Sequence, residues 1–138
     1  MGFSAKATYA LVALLELAAV QASGEVLRVA DLASRQGIPE RYLEQVLAPL
    51  RQAGILQSVR GPGGGYRLAR PPAQLALAEV LQVLEGAPAA AAAGGSPEFA
   101  VVAALEQELL AKRQARLQSC SLQALLEKRQ AQAAMFFI

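Results

Sequence analysis

The residues of this sequence best suited to bind a ligand are arginines that stand on both sides of a glycine-rich turn. Arg60 precedes residues 61–65, which are four glycines and one proline, and Arg67 and Arg70 follow them. Residues 45–78 contain no acidic side chain. A tip without side chains lets backbone come very close to a partner, and guanidinium groups attract phosphate. This pattern predicts binding to phosphate groups or to a nucleic-acid groove.

The segments beside the turn predict a β-hairpin, because residues 56–60 and 66–69 are rich in β-forming side chains. The phosphate-binding loop of a nucleotide enzyme would need its glycines to lead from a strand into a helix, with a lysine beside them. Here the glycines lead from strand to strand, and the segment has no lysine. A nucleotide site is therefore disfavoured, and an ordinary surface hairpin is the remaining alternative to a binding element.

The composition indicates a small helical domain, alone or with an appendage. Alanine and leucine supply the excess among the 54% apolar residues, while aromatic residues make up only 5%. The formal net charge is +2, yet residues 28–70 carry seven arginines and three acidic residues, a local balance of +4. A local basic face can bind a polyanion, although a solvated surface is the alternative.

Several chemistries are excluded by residues that the sequence lacks. There is no histidine and a single cysteine, Cys120, so the usual general base, a structural zinc site and an intrachain disulfide are all excluded. No paired carboxylates stand amid apolar residues, so we expect no enzyme and no metal site. No apolar run is long enough for a membrane span and no cleavable signal is evident, which predicts a cytoplasmic protein.

Helical periodicity predicts three helices before the hairpin, over residues 4–21, 30–36 and 38–53. A short strand over residues 26–28 is expected to lie against the hairpin. Glycine ends the second and third helices. A short helix, a tight turn, a second amphipathic helix and a hairpin together form a winged helix-turn-helix. The predicted fold is therefore mainly α with a small β-hairpin.

The third helix is predicted to have an apolar face and a polar face. Its apolar side chains are Leu43, Val46, Leu47 and Leu50. Arg41 and Gln45 fall on the opposite face, with Tyr42 and Glu44 on the flanks. Because Arg41, Glu44 and Gln45 can hydrogen-bond base edges, we expect this helix to enter the major groove. The hairpin would then reach the adjacent backbone or minor groove.

Several segments resemble one family of bacterial regulators. They are residues 4–10, 36–38, 42–45, 50–54 and the glycine-rich run 58–71. These motifs are similar to those of the Rrf2 family of winged-helix transcription regulators, densely over residues 1–85 and loosely beyond them. The resemblance implies a homodimer that binds a pseudo-palindromic site on double-stranded DNA and acts as a repressor or an activator.

The resemblance also implies a set of DNA contacts. They are Tyr9, Pro39, Arg41, Tyr42, Glu44, Gln45, Arg60, Gly61, Gly63, Gly64 and Gly65. Pro39 and Arg41 depart from the family pattern, in which small hydroxyl residues are common at both positions. Arginine favours guanine or phosphate, so the family's operator sequence cannot be carried over. As alternatives, Tyr42 could pack under the hairpin and Glu44 could be a solvated helix residue.

A charge-free, low-complexity stretch over residues 86–97 follows a predicted helix over 77–85, and we expect it to form a mobile loop. The resemblance implies that metal-sensing members of the family keep three cysteines here for an iron–sulfur cluster. This stretch has no cysteine and no other soft ligand, whereas a cluster as a rule needs about four ligands. We therefore predict a cluster-free member of the family with no cofactor.

The C-terminal region, residues 98–138, is predicted to form a dimer through a long helix over residues 98–118. The apolar stripe of that helix comprises Phe99, Val102, Leu105, Leu109 and Leu117. A small winged domain does not need such a helix for its own core, so we expect the stripe to pack on a second copy. Packing within the same chain is the alternative.

The sequence ends with a further predicted helix over residues 122–133, capped by Ser119 or Ser121, and an apolar segment over residues 135–138. Cys120 lies between the last two helices. There it could act as a redox switch that disturbs the dimer, or it could be an inert buried thiol.

These observations together predict a homodimeric DNA-binding transcription regulator, most simply a repressor. The alternative is a regulatory module that captures a metabolic enzyme through its apolar tail and long helix, with DNA binding secondary or dependent on that partner. Salt distinguishes the two functions, because binding to DNA weakens steeply with ionic strength and an apolar contact does not.

Overall fold

The computed structural model describes residues 2–86 and 92–136. Within them the chain forms six α-helices and one antiparallel pair of strands. The elements are α1 (Ala5–Ala19), α2 (Val29–Gln36), α3 (Glu40–Gln52), β1 (Leu56–Val59), β2 (Gly65–Leu68), α4 (Leu77–Glu85), α5 (Pro97–Ser119) and α6 (Leu122–Phe136). The prediction of a mainly α winged helix-turn-helix is confirmed. Residues 87–91 of the predicted loop and residues 137–138 of the apolar end lie outside the described residues.

The helix-turn-helix is bounded by the capping residues that the sequence predicts. The Ser4 hydroxyl caps α1 by accepting the Ala7 N–H at 3.1 Å. Helix α2 ends at Gly37, whose φ of 66° lies in the left-handed region that glycine adopts without strain. Pro39 lies immediately before α3. An N–H at this position would have no acceptor within the helix, so proline is tolerated there. These local signals place α2 and α3 on either side of one tight turn.

The two strands form the wing, which is held against the rest of the domain. Leu56 pairs with Leu68, and both side chains are buried. The predicted strand over residues 26–28 is a single bridge at Leu27, whose N–H donates to the Tyr66 carbonyl at 2.9 Å and whose carbonyl accepts the Tyr66 N–H at 2.7 Å. The wing is therefore held at its base by the buried leucine pair and near its turn end by Leu27, while its tip at residues 60–63 is exposed.

A single hydrophobic core joins the winged domain to the beginning of the C-terminal region. Leu117, Leu122 and Leu126 are buried in the same cluster as the side chains of α1 and α3. Two backbone hydrogen bonds connect these parts: Leu77 N–H to the Cys120 carbonyl at 2.9 Å, and Leu122 N–H to the Leu75 carbonyl at 2.8 Å. Leu117, Cys120, Leu122 and Leu126 thus belong to the core of the protomer. No helix among the described residues is long and apolar enough to cross a membrane.

Candidate nucleic-acid interface

The outward face of α3 presents polar side chains that make no ion pair with any described residue. Arg41, Glu44 and Gln45 are exposed, as predicted from the helical pattern, and Pro39 is exposed just before them. The opposite face is buried, since Leu50 has no solvent exposure. Arg41, Glu44 and Gln45 therefore present one cation, one carboxylate and one amide on one helix, which is a set able to donate to and accept from base edges.

Pro49 lies inside α3, a position that the sequence-based description of this helix leaves out. Proline has no N–H, so the carbonyl of Gln45 lacks the donor that an α-helix would place four residues later. The proline itself was the available signal, because a proline within a periodic segment marks an interrupted helical ladder. Helix α3 therefore lacks the backbone hydrogen bond that would join residues 45 and 49.

Two predicted DNA contacts, Tyr9 and Tyr42, lie against each other. Their ring centroids are 5.6 Å apart and the rings are nearly perpendicular at 87°, which is the favoured edge-to-face geometry. Both side chains are half-buried. The pair fixes the first turn of α3 against α1, so these residues position the helix whether or not their hydroxyl groups also touch DNA.

The basic segment 28–70 contains arginines of two kinds. Arg35 donates through Nε to Glu16 Oε1 at 2.9 Å, and Arg70 Nη2 lies 2.7 Å from Glu79 Oε1, so both charges are matched within the chain. The remaining five form no ion pair with a described residue: Arg28, Arg41, Arg51, Arg60 and Arg67. Within this segment, the arginine charge left to attract a polyanion comes from these five.

Arg60 and Arg67, on the two sides of the wing tip, differ in their contacts with the rest of the chain. Arg67 stands opposite Gln57 in the strand register and donates through Nε to its Oε1 at 3.0 Å. Arg60 is exposed at the start of the tip and forms no side-chain hydrogen bond among the described residues. Arg67 is thus fixed along the wing, whereas the guanidinium of Arg60 is available to a ligand.

The glycines of the wing tip have distinct roles, which the sequence alone does not separate. Gly61 has a φ of 108°, a backbone conformation in which a residue with a side chain would be strained. A Cβ on Gly64 would clash with the Val59 carbonyl oxygen, and one on Gly65 would lie 2.6 Å from the Leu27 carbonyl carbon. A Cβ on Gly63 would meet nothing within 4 Å. Gly61, Gly64 and Gly65 are therefore required by the hairpin itself, whereas no contact with a described residue requires a glycine at position 63.

The predicted apolar stripe of α5 divides into two faces. Val102, Leu105 and Leu109 are exposed by between 41% and 65%, and Val101, which the sequence-based stripe omits, is exposed by 71%. Leu117 is only 7% exposed and lies in the core of its own chain, so its assignment to the exposed stripe is corrected. The four exposed residues 101, 102, 105 and 109 are called the α5 patch below.

Phe99 shares the face of Leu117, because the two stand eighteen residues apart, roughly five helical turns. It remains half-exposed, with its ring against the backbone of Gly94, where an added Cβ would lie 2.5 Å from the ring. Phe99 therefore flanks the α5 patch and does not form its centre.

Comparison with known proteins assigns this chain to a family. Residues 3–128 match the model of the Rrf2 family, described as an iron-dependent transcriptional regulator. The chain belongs to the Rrf2 family. The resemblance inferred from the motifs is thus confirmed, and so is the expectation that the protein is not an enzyme, since the Rrf2 relatives are named transcriptional regulators.

Individual Rrf2 relatives match over different lengths. The regulator IscR of Cereibacter sphaeroides is 46% identical over 86 residues, which are 62% of this chain and 56% of that protein. The chain spans about half the length of the curated relatives it matches. Among solved structures, T. potens IscR has a TM-score of 0.78 at 31% identity and covers 94% of this chain, and that match spans 88% of the T. potens chain. CymR of B. subtilis has a TM-score of 0.77 at 28% identity, covering 93% of this chain and 98% of its own.

The iron in the description of the Rrf2 family raises the question of whether this chain could hold a metal cluster. Among the described residues no group of three or more His, Cys, Asp or Glu side chains could hold a metal ion. The sequence has one cysteine and no histidine, and residues 86–97 contain neither. An iron–sulfur cluster needs about four thiolate or imidazole ligands. The residues of this Rrf2 protein do not fit such a cluster.

Cys120 lies buried between α5 and α6 and is 6% exposed. Its thiol lies 3.7 Å from the Ser121 carbonyl, to which it donates. Reactive thiols are accessible ones, so we expect a chromogenic disulfide reagent to modify Cys120 slowly in the native protein and at once in denaturant. Cys120→Ala is the blank for this measurement. Rapid reaction in the native protein would instead favour the redox switch that the sequence left open.

Proposed function

We propose that this Rrf2 protein is a sequence-specific DNA-binding regulator, most simply a repressor, that acts as a homodimer in the cytoplasm. The observation that carries the proposal is the exposed face of α3, with Arg41 and Gln45, next along the chain to a wing whose Arg60 forms no ion pair with a described residue. Helix α3 fits the major groove, and a tip free of side chains fits close to the backbone or in the minor groove.

The α5 patch supports the homodimer. Its four apolar side chains project from the first half of α5, where every residue from 97 to 109 except Ala103 is exposed. A contiguous apolar surface on an otherwise charged helix is costly in water and marks an interface. Packing two copies of α5 about a twofold axis would bury the patch and present two α3 helices to successive turns of one duplex.

A cluster-free regulator is proposed because the ligand set for a cluster is missing. We expect anaerobic incubation with ferrous iron and sulfide to leave the protein without a visible charge-transfer absorption band. DNA affinity should likewise be unchanged by an iron chelator, since the described residues include no group of three or more ligands for a metal ion. A stable brown holoprotein, or a loss of binding on chelation, would contradict this part of the proposal.

Arg60→Ala should weaken binding to a selected operator by about 1–3 kcal/mol, because one unpaired guanidinium contact to the duplex is lost. Fluorescence anisotropy on a labelled duplex measures the change. Arg129→Ala is the matched control, since it removes the same charge from an exposed site on α6. An equal loss in both variants would mean that Arg60 acts only through net charge, and no loss in Arg60→Ala would remove the wing from the interface.

The salt dependence of binding tests the proposal as a whole. Neutralising several phosphates with the five unpaired arginines predicts a steep linear fall of log affinity with log salt concentration. We expect Arg60→Ala to reduce that slope by roughly one. Binding that is indifferent to salt would point to an apolar partner in place of DNA.

A further inference from the structure

Arg41 occupies the middle of the outward face of α3. Leu50, which has no solvent exposure, follows it by nine residues, or roughly two and a half helical turns, so Arg41 points directly away from the core. Gln45 and Ala48 follow at four and seven residues and share this line. Residues on the midline of a recognition helix face the base edges, while residues on its flanks face the phosphates.

The guanidinium of Arg41 is free to bind a ligand. The side chain is exposed, and it forms no ion pair with any described residue, although Glu40 and Glu44 are its neighbours on the same helix. Arg51, the other arginine of α3, lies in the last turn and on a flank. The two arginines of one helix are therefore placed differently with respect to a groove.

We infer that Arg41 selects a guanine in each operator half-site, an inference that rests on the DNA-binding function proposed above. Arginine pairs in a bidentate manner with N7 and O6 of guanine, the commonest specific contact in the major groove. Ala48, about two turns further along the same line, has only a methyl group and lets the helix approach the groove floor. Gln45 stands beside Arg41, where an amide suits an adenine at a neighbouring position.

The test begins with selection of bound sequences from a pool of randomised duplexes by the full chain. We expect a guanine at one position, repeated symmetrically in the two half-sites. Replacing that guanine by 7-deazaguanine, which lacks the N7 acceptor, should weaken binding of the native protein roughly 5- to 100-fold. Arg41→Ala should lose the same factor on the guanine duplex and should bind duplexes with any of the four base pairs at that position equally well.

Arg51→Ala is the control, because it removes an arginine from the flank of the same helix. It should keep the native preference for guanine even if its overall affinity falls. If Arg41→Ala weakens binding to all four duplexes by the same factor and keeps the guanine preference, Arg41 contacts phosphate and the inference is overturned, while DNA binding itself stands. If the native protein selects no sequence and shows no salt-dependent affinity, the proposed function fails and the inference fails with it.

Discussion

Leu105→Glu should convert the protein to a monomer and lower its operator affinity by roughly 100-fold or more, because each half-site would then be bound alone. Leu105 is 55% exposed and lies at the centre of the α5 patch. A carboxylate there costs the protomer little, since glutamate is a good helix former and the side chain reaches water. In a dimer the same carboxylate would be desolvated without a partner, which costs several kcal/mol per ion.

Sedimentation analysis would measure the oligomeric state, and circular dichroism would confirm that the helices remain. Met135→Glu provides the matched control, since it places an acid at another exposed apolar position, on α6 and outside the α5 patch as defined. We expect that variant to remain dimeric with native affinity. A dimer that survives Leu105→Glu would place the interface elsewhere and leave the α5 patch without a role.

Gly64→Ala should destabilise the wing, whereas Gly63→Ala should not. The methyl group on residue 64 would clash with the Val59 carbonyl oxygen and lie 2.9 Å from the Gly61 carbonyl oxygen. Both obstacles are backbone atoms, so the hairpin must open, at a cost of about 1–3 kcal/mol. The corresponding fall in Tm is roughly 3–12 °C for a chain of this size. The methyl group on residue 63 meets open space, and Tm should be unchanged.

The pair of variants also separates folding from recognition at the wing tip. If the tip approaches DNA as closely as proposed, Gly63→Ala should reduce operator affinity while the free protein remains as stable as before. Thermal unfolding and anisotropy titration on the same preparations give both quantities. Native affinity in Gly63→Ala would show that the tip stands away from the duplex, and native stability in Gly64→Ala would contradict the packing of the hairpin.

The winged domain could be predicted from the sequence because its signals are local. Gly37 and Pro39 bound the tight turn, and the glycine-rich run after Arg60 can only serve a turn between two strands. The helix predicted over residues 77–85 has the bounds that the structure gives α4. Each of these features depends on residues within a few positions of one another, where capping and periodicity act directly.

The faces of α5 could not be predicted as well, because alanine, valine and leucine occur all around its first half. Periodicity then gives no clear apolar direction, and Phe99 and Leu117 were grouped with Leu105 although they lie on another face. Only the structure shows which leucine of α5 is buried in the core. The exposed Val101 was missed for the same reason.

The charge pattern was predictable as a total but not in its distribution. The arginine excess of segment 28–70 is visible in the sequence, whereas the pairs that neutralise part of it join distant residues. Glu16 reaches Arg35 from another helix, and Glu79 reaches Arg70 from beyond the wing. Such contacts arise from the tertiary arrangement, so the set of arginines left for DNA becomes known only from the structure.

Two backbone hydrogen bonds join Leu75 and Leu77 to the junction of α5 and α6. They connect the winged domain directly to the C-terminal helices. Because these bonds hold α4 against the junction of α5 and α6 directly, we expect that contact to be independent of the number of residues between Gly86 and Ser96. In a twofold assembly, the distance between the two α3 helices would then be set by packing inside each protomer. Insertions or deletions between Gly86 and Ser96 should therefore leave the distance between the two α3 helices, and the spacing of the DNA half-sites, unchanged.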